Sequence, residues 1–64
     1  MIYYPDEQDV RIGDKVEEIG RGIRGTVTAI NEYQLNPIEV TDDDDNCVDQ
    51  VGPEVLTLLE RKQG

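Results

Sequence analysis

"GDKVEEIGRGIRGTVTAI" (residues 13–30) decides how this chain folds. Its four glycines, at 13, 20, 22 and 25, forbid a stable helix. Val16 and Ile19 are the apolar points of a first strand, and residues 20–25 read as a turn. Thr26, Val27, Thr28, Ala29 and Ile30 follow as a second strand rich in β-branched residues. Pleating directs Val27 and Ala29 inward and Thr26 and Thr28 outward. Ile30 breaks that alternation, which predicts a bulge or strand end near Asn31.

Downstream, "EYQLNP" (32–37) is a loop, because Pro37 biases Asn36 away from helix. "IEVT" (38–41) alternates, with Ile38 and Val40 inward and Glu39 and Thr41 outward. "DDDDN" (42–46) then separates it from "CVDQV" (47–51), a fourth short strand, so the acidic run is the tip of a β-hairpin. Aspartate and asparagine suit such a tip, since they bond nearby backbone and tolerate left-handed geometry. The face of the fourth strand is ambiguous, and Val48 is favoured inward. "GPEVLTLLE" (52–60) gives a single 3₁₀ turn that drops Val55 or Leu56 into the core, then a last strand through Leu58 and Leu59. A helix over 54–62 is the rival, marginal at under about ten residues.

Upstream, "MIYYPDEQD" (1–9) is an edge strand or a tail laid on the domain. Ile2, Tyr3 and Tyr4 either cover the open end of a small core or form a partner contact, since tyrosine joins apolar area to a polar handle. The resulting organisation is an N-terminal strand or tail (1–10), one domain (11–60) and a frayed end (61–64).

At 64 residues, folding hides only about 60% of the surface that the unfolded chain exposes, so the core is one small cluster. The only cysteine, Cys47, precludes an internal disulfide and fits a reducing compartment. Fifteen acids against six bases give a formal charge of -9. Between residues 32 and 54 there are eight acids and no base. That half repels phosphate backbones and attracts basic protein surfaces. No secretory or membrane-spanning pattern is present, and the expected location is the cytoplasm.

Residues 13–30 resemble the opening of a small SH3-like barrel, in particular the KOW type found in ribosomal and transcription proteins. The resemblance rests on Gly13-Asp14-Lys15-Val16, the glycine-containing turn, and Gly25-Thr26-Val27-Thr28-Ala29-Ile30. "IEVTDDDDN" and "VGPEVLTLL" are similar to the hairpin and the 3₁₀ turn plus last strand of that barrel, which extends the likeness over about residues 11 to 60. It implies an all-β fold of about five short strands. It also implies binding of RNA or protein through basic residues near the turns, here Arg21 and Arg24. The charge inventory opposes nucleic acid and leaves both arginines to make local ion pairs or to meet an acidic patch on a partner or on a second copy.

A distant similarity to the plasmid-borne type II dihydrofolate reductases covers the Gly-Asp-x-Val opening and the Pro53 ending. The family's pore stretch maps onto Asp49, Gln50, Val51 and Gly52, of which Gln50 matches. Glu18 and Ile19 stand where the folate-attracting lysines belong, and an acidic pore repels both folate and a nicotinamide cofactor.

Other chemistry finds little footing. Histidine is absent, which excludes a histidine-based metal site or catalytic dyad. Cys47 has no base to activate it and has carboxylate neighbours that disfavour its thiolate; a small buried or half-buried side chain is expected. Asp43, Asp45 and Asp49 offer oxygen ligands for calcium, but the spacing and central glycine of an EF-hand are missing. No catalytic, metal or cofactor residue is assigned. The expected function is protein interaction, as a binding module or a small accessory or inhibitor protein. Its candidate contacts are Asp42, Asp43, Asp44, Asp45, Asp49, Tyr3, Tyr4, Arg21 and Arg24. Self-assembly through edge strands or the Ile2-Tyr3-Tyr4 segment is the alternative, and a KOW-like association with nucleic acid is the third.

Overall fold

The computed structural model describes residues 1–61; residues 62–64 of the expected frayed end lie outside the described residues. The chain is all-β, with five antiparallel strands in one sheet. They are β1 (Lys15–Glu18), β2 (Ile23–Ile30), β3 (Ile38–Asp42), β4 (Val48–Val51) and β5 (Leu56–Glu60), with a 3₁₀ turn (Pro53–Val55) before β5. The order β4-β3-β2-β1-β5 makes β1 to β4 a meander, with β5 returning beside β1.

The core is Tyr4, Val10, Val16, Val27, Ile38, Val40 and Leu56, with Ile2, Ile30, Val51, Val55 and Leu58 packed against it. Val51 and Leu56 come from opposite edges of the sheet yet belong to this single cluster, so the sheet is strongly curled. The expected inward face of β3 is observed, with Ile38 and Val40 buried. On β2 only Val27 follows expectation: Ala29 lies opposite outward-facing Glu39, and Ile30, opposite Ile38, packs against the core instead. Leu56 fills the core as the 3₁₀ turn ends, its N–H donating to the Pro53 carbonyl. The rival helix does not form, because the chain is extended from Leu56 to Glu60.

Several expectations are corrected. Strand β1 ends at Glu18, and Ile19 is exposed in the following turn. Alternation has period two, so Val16 inward carries Glu18 inward with it and cannot carry residue 19. Strand β2 starts at Ile23, which leaves a tighter turn in which Gly20 and Gly22 have φ of 84° and 66°. The bulge falls at Thr28, where the β2–β3 register shifts between Val27 and Ala29, rather than near Asn31. Val48 is exposed, while Asp49 and Val51 turn inward. Asp49 lies directly opposite buried Val40 on β3, and opposed residues share a face.

Gly25 belongs to β2 and not to the turn. A Cβ there would lie 2.6 Å from the Thr41 carbonyl oxygen and 2.6 Å from Val40 Cγ1. Strands β2 and β3 approach this closely only because residue 25 has no side chain. Gly25→Ala is expected to cost about 1–3 kcal/mol by overpacking, read as a lower denaturant midpoint with an unchanged slope.

Candidate functional site

Two carboxylates lie inside this small domain, and they are satisfied very differently. Asp14, just before β1, is 1% exposed. Its Oδ2 accepts hydrogen bonds from the Tyr4 hydroxyl at 2.6 Å, the Arg11 N–H at 3.0 Å and Arg61 Nη2 at 3.0 Å, while Oδ1 accepts from Arg61 Nε at 3.1 Å. Arg61 also donates to the Asp9 carbonyl. Burial pushes the Asp14 carboxyl up, but the bonds from Arg61, Tyr4 and the Arg11 N–H outweigh it and hold it below the usual carboxylate range. Burial and Asp14 together raise the Tyr4 phenol well above its ordinary value. This hub ties the N-terminal segment and the end of β5 onto β1. Arg61 is therefore a structural anchor, not part of a frayed end.

Glu18 is the second, 2% exposed at the far end of β1. Its Oε1 lies 3.3 Å from Arg21 Nη1, and the same nitrogen is 3.7 Å from Asp49 Oδ2 on β4. Its Oε2 is buried with no hydrogen-bond partner. Burial first, then the facing Asp49, push the Glu18 carboxyl above the ordinary range; Arg21 pulls the other way and loses.

The acidic run forms the hairpin tip between β3 and β4. Asp42 N–H donates to the Cys47 carbonyl at 2.8 Å, and Asn46 takes a left-handed φ of 61°. Asp42 Oδ1 accepts from the Asp44 N–H at 2.8 Å, and Asp45 Oδ1 accepts from the Cys47 N–H at 2.9 Å. Asp43 Oδ1 accepts from Lys15 Nζ at 3.1 Å and from the Thr26 hydroxyl at 3.0 Å. Lys15 is the main reason the Asp43 carboxyl sits below its usual range. Three of the four aspartates thus have an internal structural task. Cys47 is exposed, against expectation, because it closes the hairpin outside the sheet. Asp45 leads the carboxylates that raise its thiol.

The other candidates separate. Arg24 lies on β2 and pairs with Glu17 on β1 at 3.9 Å, so both turn-region arginines meet local carboxylates, as expected. Tyr3 is exposed and bridges Asp9 across a small N-terminal loop. Tyr4 is withdrawn as a contact: at 2% exposure it is a core residue.

Sequence reasoning missed Tyr33 and Leu35, which are 100% and 95% exposed in the β2–β3 loop. Their signal was available, as two large apolar residues inside a segment already read as a loop. The loop is shaped by Asn31, whose Oδ1 accepts from the Tyr33 N–H and whose N–H donates to the Pro37 carbonyl. It lies at the opposite end of β3 from the acidic tip.

A hollow lined by Lys15, Arg24, Asp43 and Glu60 measures about 270 Å³, under the roughly 300–1,000 Å³ of small-molecule sites. Among the described residues, no group of three or more acids or cysteines is arranged to hold a metal ion.

The chain matches no family model, no curated protein and no solved structure.

What the geometry offers is a charged exterior. All five described basic side chains are within ion-pair distance of a carboxylate: Arg11 with Asp9, Lys15 with Asp43, Arg21 with Glu18 and Asp49, Arg24 with Glu17, and Arg61 with Asp14 and Asp9. These five cations each sit beside a carboxylate of the same molecule, and the excess of acid among the described residues faces outward.

Replacing Asp42, Asp43, Asp44 and Asp45 with Asn keeps an acceptor oxygen at each position. The two turn-closing bonds survive, and only the exposed, salt-screened Lys15 pair is lost. The melting temperature of this variant should stay within a few degrees of the parent by circular dichroism.

Proposed function

We propose that this domain is a protein-interaction module of SH3-like, KOW-type architecture that engages a larger protein through a basic surface. The observation that supports this reading is the engagement of every described Lys and Arg side chain by a carboxylate of the same molecule. A chain of charge -9 so arranged presents a field that steers basic partners in and turns nucleic acid away. The acidic hairpin supplies charge at one end of β3. At the other end Tyr33 and Leu35 supply exposed apolar area of the kind that anchors interfaces.

Affinity capture from extracts of the source cells, at low and at raised salt, tests the reading. A specific partner retained at low salt and lost as screening rises is the expected result. Titration with labelled RNA and DNA separates the nucleic-acid alternative, which needs tight binding despite Arg21 and Arg24 being engaged. For self-assembly, the outer edges of β4 and β5 are the better supported route, because Tyr4 of the N-terminal segment is a core residue while Tyr3 alone stays well exposed. Light scattering that reports a monomer at working concentration removes this alternative.

A further inference from the structure

We propose that Glu18 is held as the neutral acid in the folded domain and donates its proton from Oε2 to Asp49, so that one shared proton latches β4 to the end of β1. The inference stands on the geometry of this corner and is independent of the partner reading. Strands β1 and β4 are separated in the sheet by β2 and β3, and only the curl of the sheet brings Glu18 and Asp49 to the same arginine nitrogen. Glu18 Oε2 is buried and has no donor. As a carboxylate oxygen it would be stripped of water with nothing in return, which native structures rarely tolerate. As a hydroxyl it becomes a donor, and the acceptor assigned to it is Asp49, the carboxylate that shares the Arg21 nitrogen with Glu18.

The charged groups around Glu18 are few. Arg21 reaches it from the β1–β2 turn, and Asp49 faces it from β4. Its neighbours on β2 and β5 are Ile23 and Leu56, which carry no charge. Glu17 points to the other side and pairs with Arg24. One cation therefore stands between two acids, and Arg21 is itself more than half exposed. Two negative charges at this corner are incompletely balanced, whereas one negative charge with a shared proton is balanced by Arg21. The direction of the Glu18 shift, upward through burial and Asp49, agrees with this arrangement.

The sign of the pH effect follows. A carboxyl raised in the folded state stabilises the fold while it is protonated, and that contribution is lost as pH rises through its folded value. Above that point the latch opens and β4, an edge strand leading out of the acidic hairpin, loosens at its β1 side. The proton thereby becomes a control on the edge that carries the hairpin.

Carboxyl ¹³C NMR of the full chain, titrated from acid to alkaline pH, reads Glu18 directly. The expected result is a Glu18 midpoint above the ordinary glutamate range, coupled to Asp49 and displaced downward in Asp49→Asn. A Glu18 that titrates in the ordinary range overturns the proposal, as does a midpoint that Asp49→Asn leaves in place. A second measurement is denaturant stability against pH. Glu18→Gln, a permanently neutral donor of similar size, should abolish the loss of stability on the alkaline side. A loss as large in Glu18→Gln as in the parent would contradict the latch.

Discussion

Asp14→Ala is expected to remove a large share of this domain's stability, more than any other single substitution considered. The substitution strips the acceptor from the Tyr4 hydroxyl, the Arg11 N–H and the Arg61 guanidinium at a site that is 1% exposed. Breaking a buried ion pair from one side costs about 3–5 kcal/mol, and a small domain has only about 5–15 kcal/mol in total. Tyr4→Phe removes a single hydrogen bond to the charged group and is expected to cost about 1.5–3 kcal/mol. Chemical denaturation of the two variants checks the order; a Tyr4→Phe chain less stable than Asp14→Ala would show that Asp14 is not the hub. The same site sets an acid limit. Asp14 is depressed in the folded state, so its stabilisation is present above its unfolded value of about 3.9 and is lost as pH falls through the lower folded one. The parent should therefore lose stability on the acid side, and Asp14→Asn should flatten that limb.

Leu56→Ala should have the second largest effect, a loss of about 2–5 kcal/mol. Leu56 is fully buried, starts β5 opposite Glu18, and receives the chain from the Pro53–Val55 turn. Its side chain joins one edge of the sheet to a core shared with Val51 from the other edge. Truncation leaves a cavity that short strands pinned by the 3₁₀ turn cannot readily fill. The measurement is the unfolding midpoint of Leu56→Ala beside Leu59→Ala, whose half-exposed side chain lies on the same strand and should tolerate the change with a much smaller loss.

The elements with a local cause were readable in the sequence. Thr26 to Ile30 announced a strand through β-branching, Pro53 fixed the start of the 3₁₀ turn, and the Asp-Asn run matched the hairpin tip with Asn46 in its left-handed position. Two of the readings that failed involved a polar residue facing inward in place of an apolar one. Glu18 and Asp49 took inward positions that a hydropathy pattern gives to Ile19 and Val48. A buried charge is tolerated through its partners, and those partners are distant in sequence: Arg61 lies 47 residues from Asp14. Gly25 was misplaced for a related reason, since its need for no side chain is imposed by Val40 and Thr41 on the facing strand and not by a local turn. The same distinction applies to the candidate surface. Local sequence marked the hairpin acids, but only the fold revealed that Asp42, Asp43 and Asp45 already serve it, that Tyr4 is core, and that Tyr33 and Leu35 are fully exposed.

The central claim is that an outward acidic surface recruits a basic protein partner. Its most direct test is capture from source-cell extract with the parent chain and with the variant carrying Asn at Asp42, Asp43, Asp44 and Asp45, at matched low salt. The account predicts a specific basic partner on the parent and a clear loss of it on the equally folded variant. Equal capture by both chains, or a partner whose binding strengthens with salt, would contradict it.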